Sequence, residues 1–298
     1  VSKIPVILDT DIGGDIDDTW ALVMMLKCPE LDPKLIVTDT GDTVYRAKVV
    51  AKVLQAAGRT DIPIGIGIRF ATDHGSAPQA DYVRDYDLAD YPGTIHEDGV
   101  QAITDTIMNS EEEVTLICIG PVPNIGEALR REPHIAQGAR FVGMHGSVRK
   151  GYGDSADPVA ECNVVHHTPD CQEVFAAPWR KTITPLDTCG LVQLDGERYA
   201  RVAACEDPAV QALMENYRIW KPGWEGAGHV HDRSSTLFDT VAVYLAFSDD
   251  LLDMERLPIR VTDDGFTRIE EGAPECRVAT EWKDMEAFLD LLTERLTT

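Results

Sequence analysis

Basic residues are scarce in this 298-residue chain: 27 Lys and Arg stand against 51 Asp and Glu, a formal net charge of −24. A field of that sign repels nucleic acid and anionic membranes, which excludes both as main partners. It is compatible with binding a cation. Long apolar runs are lacking too. The longest, Trp20 to Leu26 and Thr240 to Phe247, fall far short of the ~20 residues that cross a bilayer. The seven cysteines include no CxxC pair, so neither a zinc cluster nor a disulfide framework is expected, and scattered buried thiols in a reducing compartment are. No Gly/Ser-rich linker, internal repeat or low-complexity tract divides the chain. The sequence opens on Val1-Ser2-Lys3 and runs into a strand pattern without a signal peptide, so a cytoplasmic location is the expectation.

What the chain does have is alternation. Short β-rich runs at Ile4 to Leu8, Leu35 to Val37, Ile62 to Ile66 and Val114 to Ile119 take turns with helical spacings. Those helices are expected at Asp18 to Lys27, Thr43 to Ala57, Asp98 to Met108 and Ile125 to Arg131, and another strand ends near Phe141 and Val142. Such a pattern predicts an α/β fold: one domain over residues 1–298, with a mostly parallel central sheet flanked by helices and sites at the carboxyl ends of its strands. The stretches Ala71 to His96 and Tyr217 to Ser235 read as long loops, of the size that often forms lids. A closing helix is expected from Trp282 to Leu296.

The most informative segment is Leu8-Asp9-Thr10-Asp11-Ile12-Gly13-Gly14-Asp15-Ile16-Asp17-Asp18, with five carboxylates in ten residues between a strand and a helix. Crowded carboxylates raise each other's pKa unless a cation neutralises them. Oxygen donors without Cys or His nearby suit Ca²⁺ or Mg²⁺ rather than zinc. Gly13 and Gly14 allow a tight turn that lets carboxylates on both sides converge. The alternative is a solvated acidic loop in which Asp17 or Asp18 caps the next helix. An EF-hand is rejected: the helix before the loop is missing, and Trp20 stands where that motif has its bidentate Glu.

This segment resembles the amino-terminal signature of the inosine-uridine-preferring nucleoside hydrolase family, in a longer form of the loop. The resemblance covers nearly the whole chain. It implies Asp11 and Asp18 as Ca²⁺ ligands, Asp11 also as the base that takes the proton of the attacking water, and Asp17 as a ligand of a ribose hydroxyl. Asp15 lies in the extension, so no role carries over to it. Ile119-Gly120-Pro121-Val122-Pro123-Asn124 resembles a strand-end turn that supplies a backbone carbonyl to calcium. Pro123 occupies that place and keeps its C=O. Asp157-Pro158-Val159-Ala160-Glu161-Cys162-Asn163 resembles the ribose-binding stretch; the i, i+2 spacing puts Glu161 and Asn163 on one face if the segment is extended. Met144 falls where the family has a pocket methionine, and Asp42 where relatives have Asn or Asp near the sugar. Phe238-Asp239 resembles the last signature, whose aspartate completes the calcium shell.

Two departures matter. Pyrimidine-accepting members have a proton-donating histidine where this chain has Phe238. Purine-preferring ones have a stacking aromatic there, so purine nucleosides are the expected substrates and purine salvage the expected context. Ser155 stands where many members place an asparagine on the sugar. Tyr217, Trp220, Trp224, His229 and His231 are candidates to enclose the base or protonate it, each equally readable as packing. The resemblance further implies a homodimer or homotetramer. Rival readings are a hydrolase of another riboside, a non-catalytic calcium-dependent ribose-binding protein, and a phosphatase built on Asp9-Thr10-Asp11. The last lacks the expected lysine and later acidic pair.

Overall fold

Successive residues of the first strand, β1 (Ile4–Thr10), point into two different hydrophobic cores, Val6 and Leu8 into one and Ile7 into the other. A strand buried on both faces belongs in the middle of a sheet with helices on either side. The structure, a computed structural model, describes residues 2–70, 77–220 and 232–298. After β1 come α1 (Asp17–Lys27), β2 (Leu31–Thr38), α2 (Thr43–Ala56), β3 (Ile64–Ile66) and β4 (Ile95–His96). The chain then returns through α3 (Gly99–Met108), β5 (Val114–Cys118), α4 (Pro123–Arg131), α5 (Ile135–Gly138) and β6 (Ala139–Met144). Next are α6 (Cys162–His166), α7 (Thr168–Ala176), β7 (Lys181–Thr184), α8 (Leu186–Cys189), α9 (Gly196–Ala203), α10 (Pro208–Trp220) and α11 (Thr240–Leu245). β8 (Leu252–Val261), β9 (Thr267–Ile269), β10 (Glu275–Trp282) and α12 (Met285–Thr297) complete the single α/β domain.

The strands form one ten-stranded sheet in the order β4-β3-β2-β1-β5-β6-β7-β10-β8-β9. Every pairing from β4 across to β10 is parallel. β8 runs antiparallel to β10 and β9 antiparallel to β8, which gives one edge a meander that the alternation of strands and helices did not announce. From β1 the chain winds outward through β2, β3 and β4, then crosses back to lay β5 on the other side of β1. The strand order therefore reverses between β1 and β5. A crevice opens outside the carboxyl ends of parallel strands at such a reversal, and ligands bind there.

Several expectations need correction. The closing helix starts at Met285, where the Asp284 side chain accepts the Ala287 N–H at 2.9 Å; Trp282 still belongs to β10. Tyr217 and Trp220 are not loop residues but the last turn of α10. Tyr217 is fully buried, edge-on to Trp20 at 5.9 Å and stacked on Trp220 at 6.0 Å, so packing accounts for it. In the stretch to His96, the described part contains short 3-10 turns at Ala80–Val83 and Leu88–Asp90, then β4. Trp224, His229 and His231 lie outside the described residues. All seven cysteines are free, and Cys162 is exposed rather than buried. No helix among the described residues is long and apolar enough to cross a membrane.

Candidate active site

The carboxyl ends of β1, β5 and β6, with the first turns of α1, α6 and α11, surround a pocket of about 170 Å³. Asp11, Asp15, Asp17, Asp18, Met144, Glu161, Asn163, Phe238 and Asp239 all line it, together with Ile119, Tyr152 and Cys162. Residues from six separate segments thus meet at one point. Pro123 is buried at the first position of α4 and is not among the lining residues. Asp42 lies elsewhere: its side chain caps α2 through the Tyr45 N–H at 3.1 Å and pairs with Arg69. It borders a second, open cavity beside Tyr45 and Lys48.

The loop after β1 is shaped by side chains from distant segments. Arg46 Nη1 donates to the Ile12 carbonyl, the Tyr45 hydroxyl to the Gly13 carbonyl, and Gln79 Nε2 to the Gly14 and Asp15 carbonyls. Four consecutive peptide oxygens are therefore held from outside. Gly13 takes φ +98°, which a side chain would strain, and a Cβ there would meet the Tyr45 ring at 2.8 Å. At the end of β2, Arg46 Nε also binds the carbonyl of Thr40, a β-branched residue at φ +53°. Residues hold that conformation only where their surroundings impose it.

Asp17, Asp18 and Asp239 each offer a carboxylate oxygen within 4.8 Å of the other two. All three side chains are below 5% exposed. Burial first, and the neighbouring carboxylates second, hold all three well above the ordinary carboxylate range. Asp239 stands at the N-cap position of α11 and Asp17 and Asp18 in the first turn of α1, yet none of them makes a side-chain capping bond. The capping alternative therefore fails for Asp17 and Asp18, and Asp239 caps nothing either. Thr10 Oγ1 donates to Asp18 at 2.5 Å and orients it. Three buried, mutually repelling oxygen donors beside Asp11 fit a hard divalent cation, which would neutralise that repulsion.

Asp11 approaches β5 so closely that a Cβ on Gly120 would lie 2.9 Å from its N and Oδ1. Behind this contact lies a second acidic group that the sequence did not reveal as one unit. Asp9 and Asp39 are fully buried and adjacent. Asn124 Nδ2 donates to Asp9 at 2.8 Å while its Oδ1 accepts the Ile68 N–H. Burial pushes Asp9 up to about 7.

Glu161 and Asn163 do not share the face of an extended segment, because Asn163 is already in α6. Glu161 is the N-cap, accepting the N–H groups of Asn163 and Val164 and also that of Gly146. Burial raises it to about 7. Asn163 Nδ2 donates to the Ile119 and Met144 carbonyls at 3.0 Å each, which aims Oδ1 away from them as an acceptor. Phe238, half-buried, meets Tyr152 edge-on at 6.1 Å between ring centres. Tyr152 and Cys162 were missed in the sequence. Only the place of Cys162 between Glu161 and Asn163 could have flagged it.

A profile of the family described as inosine-uridine preferring nucleoside hydrolase matches residues 6–290. The chain is 29% identical to the non-specific ribonucleoside hydrolase RihC of Klebsiella pneumoniae, over 72% of this chain and 73% of that one. It is 26% identical to the pyrimidine-specific ribonucleoside hydrolase RihA of Escherichia coli over 98% of both. Among solved structures, a plant nucleoside hydrolase superposes with TM-score 0.82 at 21% identity over the full length of both chains. A purine-preferring ribonucleoside hydrolase from Gardnerella vaginalis gives 0.79 at 20% identity over 98% of each.

Proposed function

Since the chain belongs to the inosine-uridine preferring nucleoside hydrolase family, we propose that it releases ribose from ribonucleosides in the aspartate pocket, with Ca²⁺ as cofactor and purine nucleosides ahead of pyrimidine ones. Family membership itself makes it an enzyme of the N-glycosidic bond that acts on ribonucleosides. The observation that carries the finer reading is the convergence of Asp17, Asp18 and Asp239 at the mouth of the β1–β5 crevice.

Asp11, Asp18, Asp239 and the Pro123 carbonyl would hold the ion. Such a cation, when bound, lowers the pKa of a ligated water and binds the vicinal diol of a sugar. The chain's own groups do the rest. Asp11, half-buried at the pocket wall, takes the proton of the attacking water. Asp17, facing Asp239, accepts from a ribose hydroxyl. Asn163 presents Oδ1 to the sugar, and Glu161 Oε1, which accepts only the Asn163 N–H, keeps a lone pair for another hydroxyl. As the C–N bond breaks, positive charge grows on the ribose ring, and a pocket lined by this many carboxylates stabilises it. Met144 and Ile119 supply the apolar part of the wall.

The leaving base meets Phe238, which stacks but cannot donate a proton. A purine can instead take a proton from solvent at a ring nitrogen before it departs, and aromatic rings stabilise the resulting cation. The test is a panel of purine and pyrimidine ribonucleosides assayed for free ribose, with Ca²⁺ and after chelation. Purine-dominated release that stops on chelation and returns with Ca²⁺ is expected. Undiminished release from metal-free protein would overturn the cofactor assignment, and faster release from uridine or cytidine the base preference.

A further inference from the structure

Resting on the reading just given, we propose that Tyr152 is a substrate-positioning residue whose hydroxyl holds the 5′-hydroxyl of the ribose. Tyr152 follows the turn after β6, far in sequence from the aspartates, and its side chain remains 46% exposed although it lines the pocket. Exposure of that size on a large aromatic is not core packing. The residue is presented by a built turn. Gly151 N donates to the Ser155 carbonyl at 2.8 Å, and the backbone between them passes through two left-handed residues, Gly153 at φ +65° and Asp154 at φ +62°. Lys150 anchors Asp154 at 2.7 Å. A Cβ on Gly151 would lie 2.5 Å from the Asp157 carbonyl, so the turn closes only with glycine there. The neighbouring Ser155 hydroxyl is directed inward to its own loop, accepting the Asp157 N–H at 3.2 Å.

The hydroxyl of Tyr152 accepts the Cys162 N–H at 3.2 Å. That bond uses a lone pair and leaves the O–H proton to be donated. Partial burial and then the Glu161 carboxylate hold its pKa above the ordinary value, so the proton stays on. Cys162 lies between Glu161 and Asn163, which puts the donor at the α6 side of the pocket. Asp17, Asp18 and Asp239 sit at the α1 and α11 side. Ribose offers a cation its vicinal 2′,3′-diol, because two adjacent oxygens chelate. Its remaining free hydroxyl, on the exocyclic C5′, then projects from the opposite face of the ring to the diol, towards the α6 side. The Tyr152 ring meanwhile meets Phe238 edge-on, so one residue braces the base wall and fixes the far end of the sugar.

The test compares the better of inosine and uridine with its 5′-deoxy analogue, in wild type and in Tyr152→Phe, which keeps the ring. Loss of one neutral hydrogen bond should lower kcat/KM for the parent nucleoside roughly 3- to 10-fold, mainly through KM, and change the 5′-deoxy analogue less than about twofold. Thermal stability should fall only slightly, by the loss of the bond to the Cys162 N–H, and Tyr152→Ala should lose more on both substrates because Phe238 loses its brace. Equal losses on the two substrates in Tyr152→Phe, or no loss on either, would overturn the assignment. Wild-type protein that released ribose from no ribonucleoside would overturn the underlying reading, and this one with it.

Discussion

Asp11 neighbours two groups of buried carboxylates, and burial raises the pKa of both. Asp9 and Asp39 are sealed in with no exposed surface, and Asn124 is bonded to one of them. Asp17, Asp18 and Asp239 have almost as little exposed surface, but they open on a cavity. The difference is in how each group can lose its repulsion. The sealed pair can shed it only by protonation, whereas the open trio can also take a cation. A raised pKa therefore does not mark a site on its own. Access to a pocket does.

That contrast breaks or holds at the level of single substitutions. Asp11→Asn removes the base, a loss worth about 10²- to 10⁴-fold in turnover, and Asp239→Ala should abolish Ca²⁺ binding by calorimetry along with ribose release. Asp39→Asn removes a charge that burial already disfavours and that no pocket reaches, so activity should stay within a few-fold of wild type. If Asp39→Asn is as damaging as Asp239→Ala, the sealed pair belongs to the catalytic machinery and the contrast is wrong.

Gly120→Ala tests the close approach of Asp11 and Asp39 to the end of β5. Its Cβ would fall 2.8 Å from Asp39 Oδ2 and 2.9 Å from the Asp11 N and Oδ1. Displacing Asp11 by a fraction of an ångström should cost roughly 10- to 100-fold in kcat. Unchanged kcat would mean that β1 and β5 can part at this point without moving the base.

Acidity separates the groups next. Every member has a folded pKa raised above its unfolded value, Asp9 to about 7. For an acid, that shift favours the folded state below the unfolded pKa, and the advantage is lost as pH rises through the folded pKa. Chelated protein should therefore melt at a lower temperature at pH 8 than at pH 5. Added Ca²⁺ binds the ionised trio, so it should raise the melting temperature more at pH 8 than at pH 5. A Ca²⁺ shift that was larger at pH 5 would contradict an ion held by carboxylates.

The smallest effect concerns the base wall. Phe238→Leu keeps the apolar surface and removes the ring face, which should reduce the purine-to-pyrimidine ratio of kcat/KM by about 2- to 10-fold. An unchanged ratio would place base selection outside Phe238.

The parallel half of the fold and the aspartate cluster were legible because their signals are local. β-rich runs separated by helical spacings imply crossovers, and carboxylates packed around Gly13 and Gly14 imply a turn. Asp42 and Glu161 were harder, since an acidic residue before a helix reads equally as a cap or a ligand. The structure makes both of them caps, while Asp239, in the same kind of position, caps nothing. The antiparallel edge was hidden because β8 is buried only at intervals and β9 is three residues long. Tyr152 was hidden because only a turn with two left-handed residues brings it to the pocket, and Tyr45, Arg46 and Gln79 because their bonds span 32 to 65 residues.

Those last bonds bear on how the loop could be re-used. Residues 9–18 look like a self-contained cassette, ready to be moved into another parallel sheet. They are not one, because the carbonyls of Ile12, Gly13, Gly14 and Asp15 are all gripped by side chains that stay behind. Gln79 is itself held by Asn216 of α10. A transplant would have to carry Tyr45, Arg46, Gln79 and Asn216 with it, from three further segments of the chain. The acidic signature is portable as text, but its shape is the property of a neighbourhood.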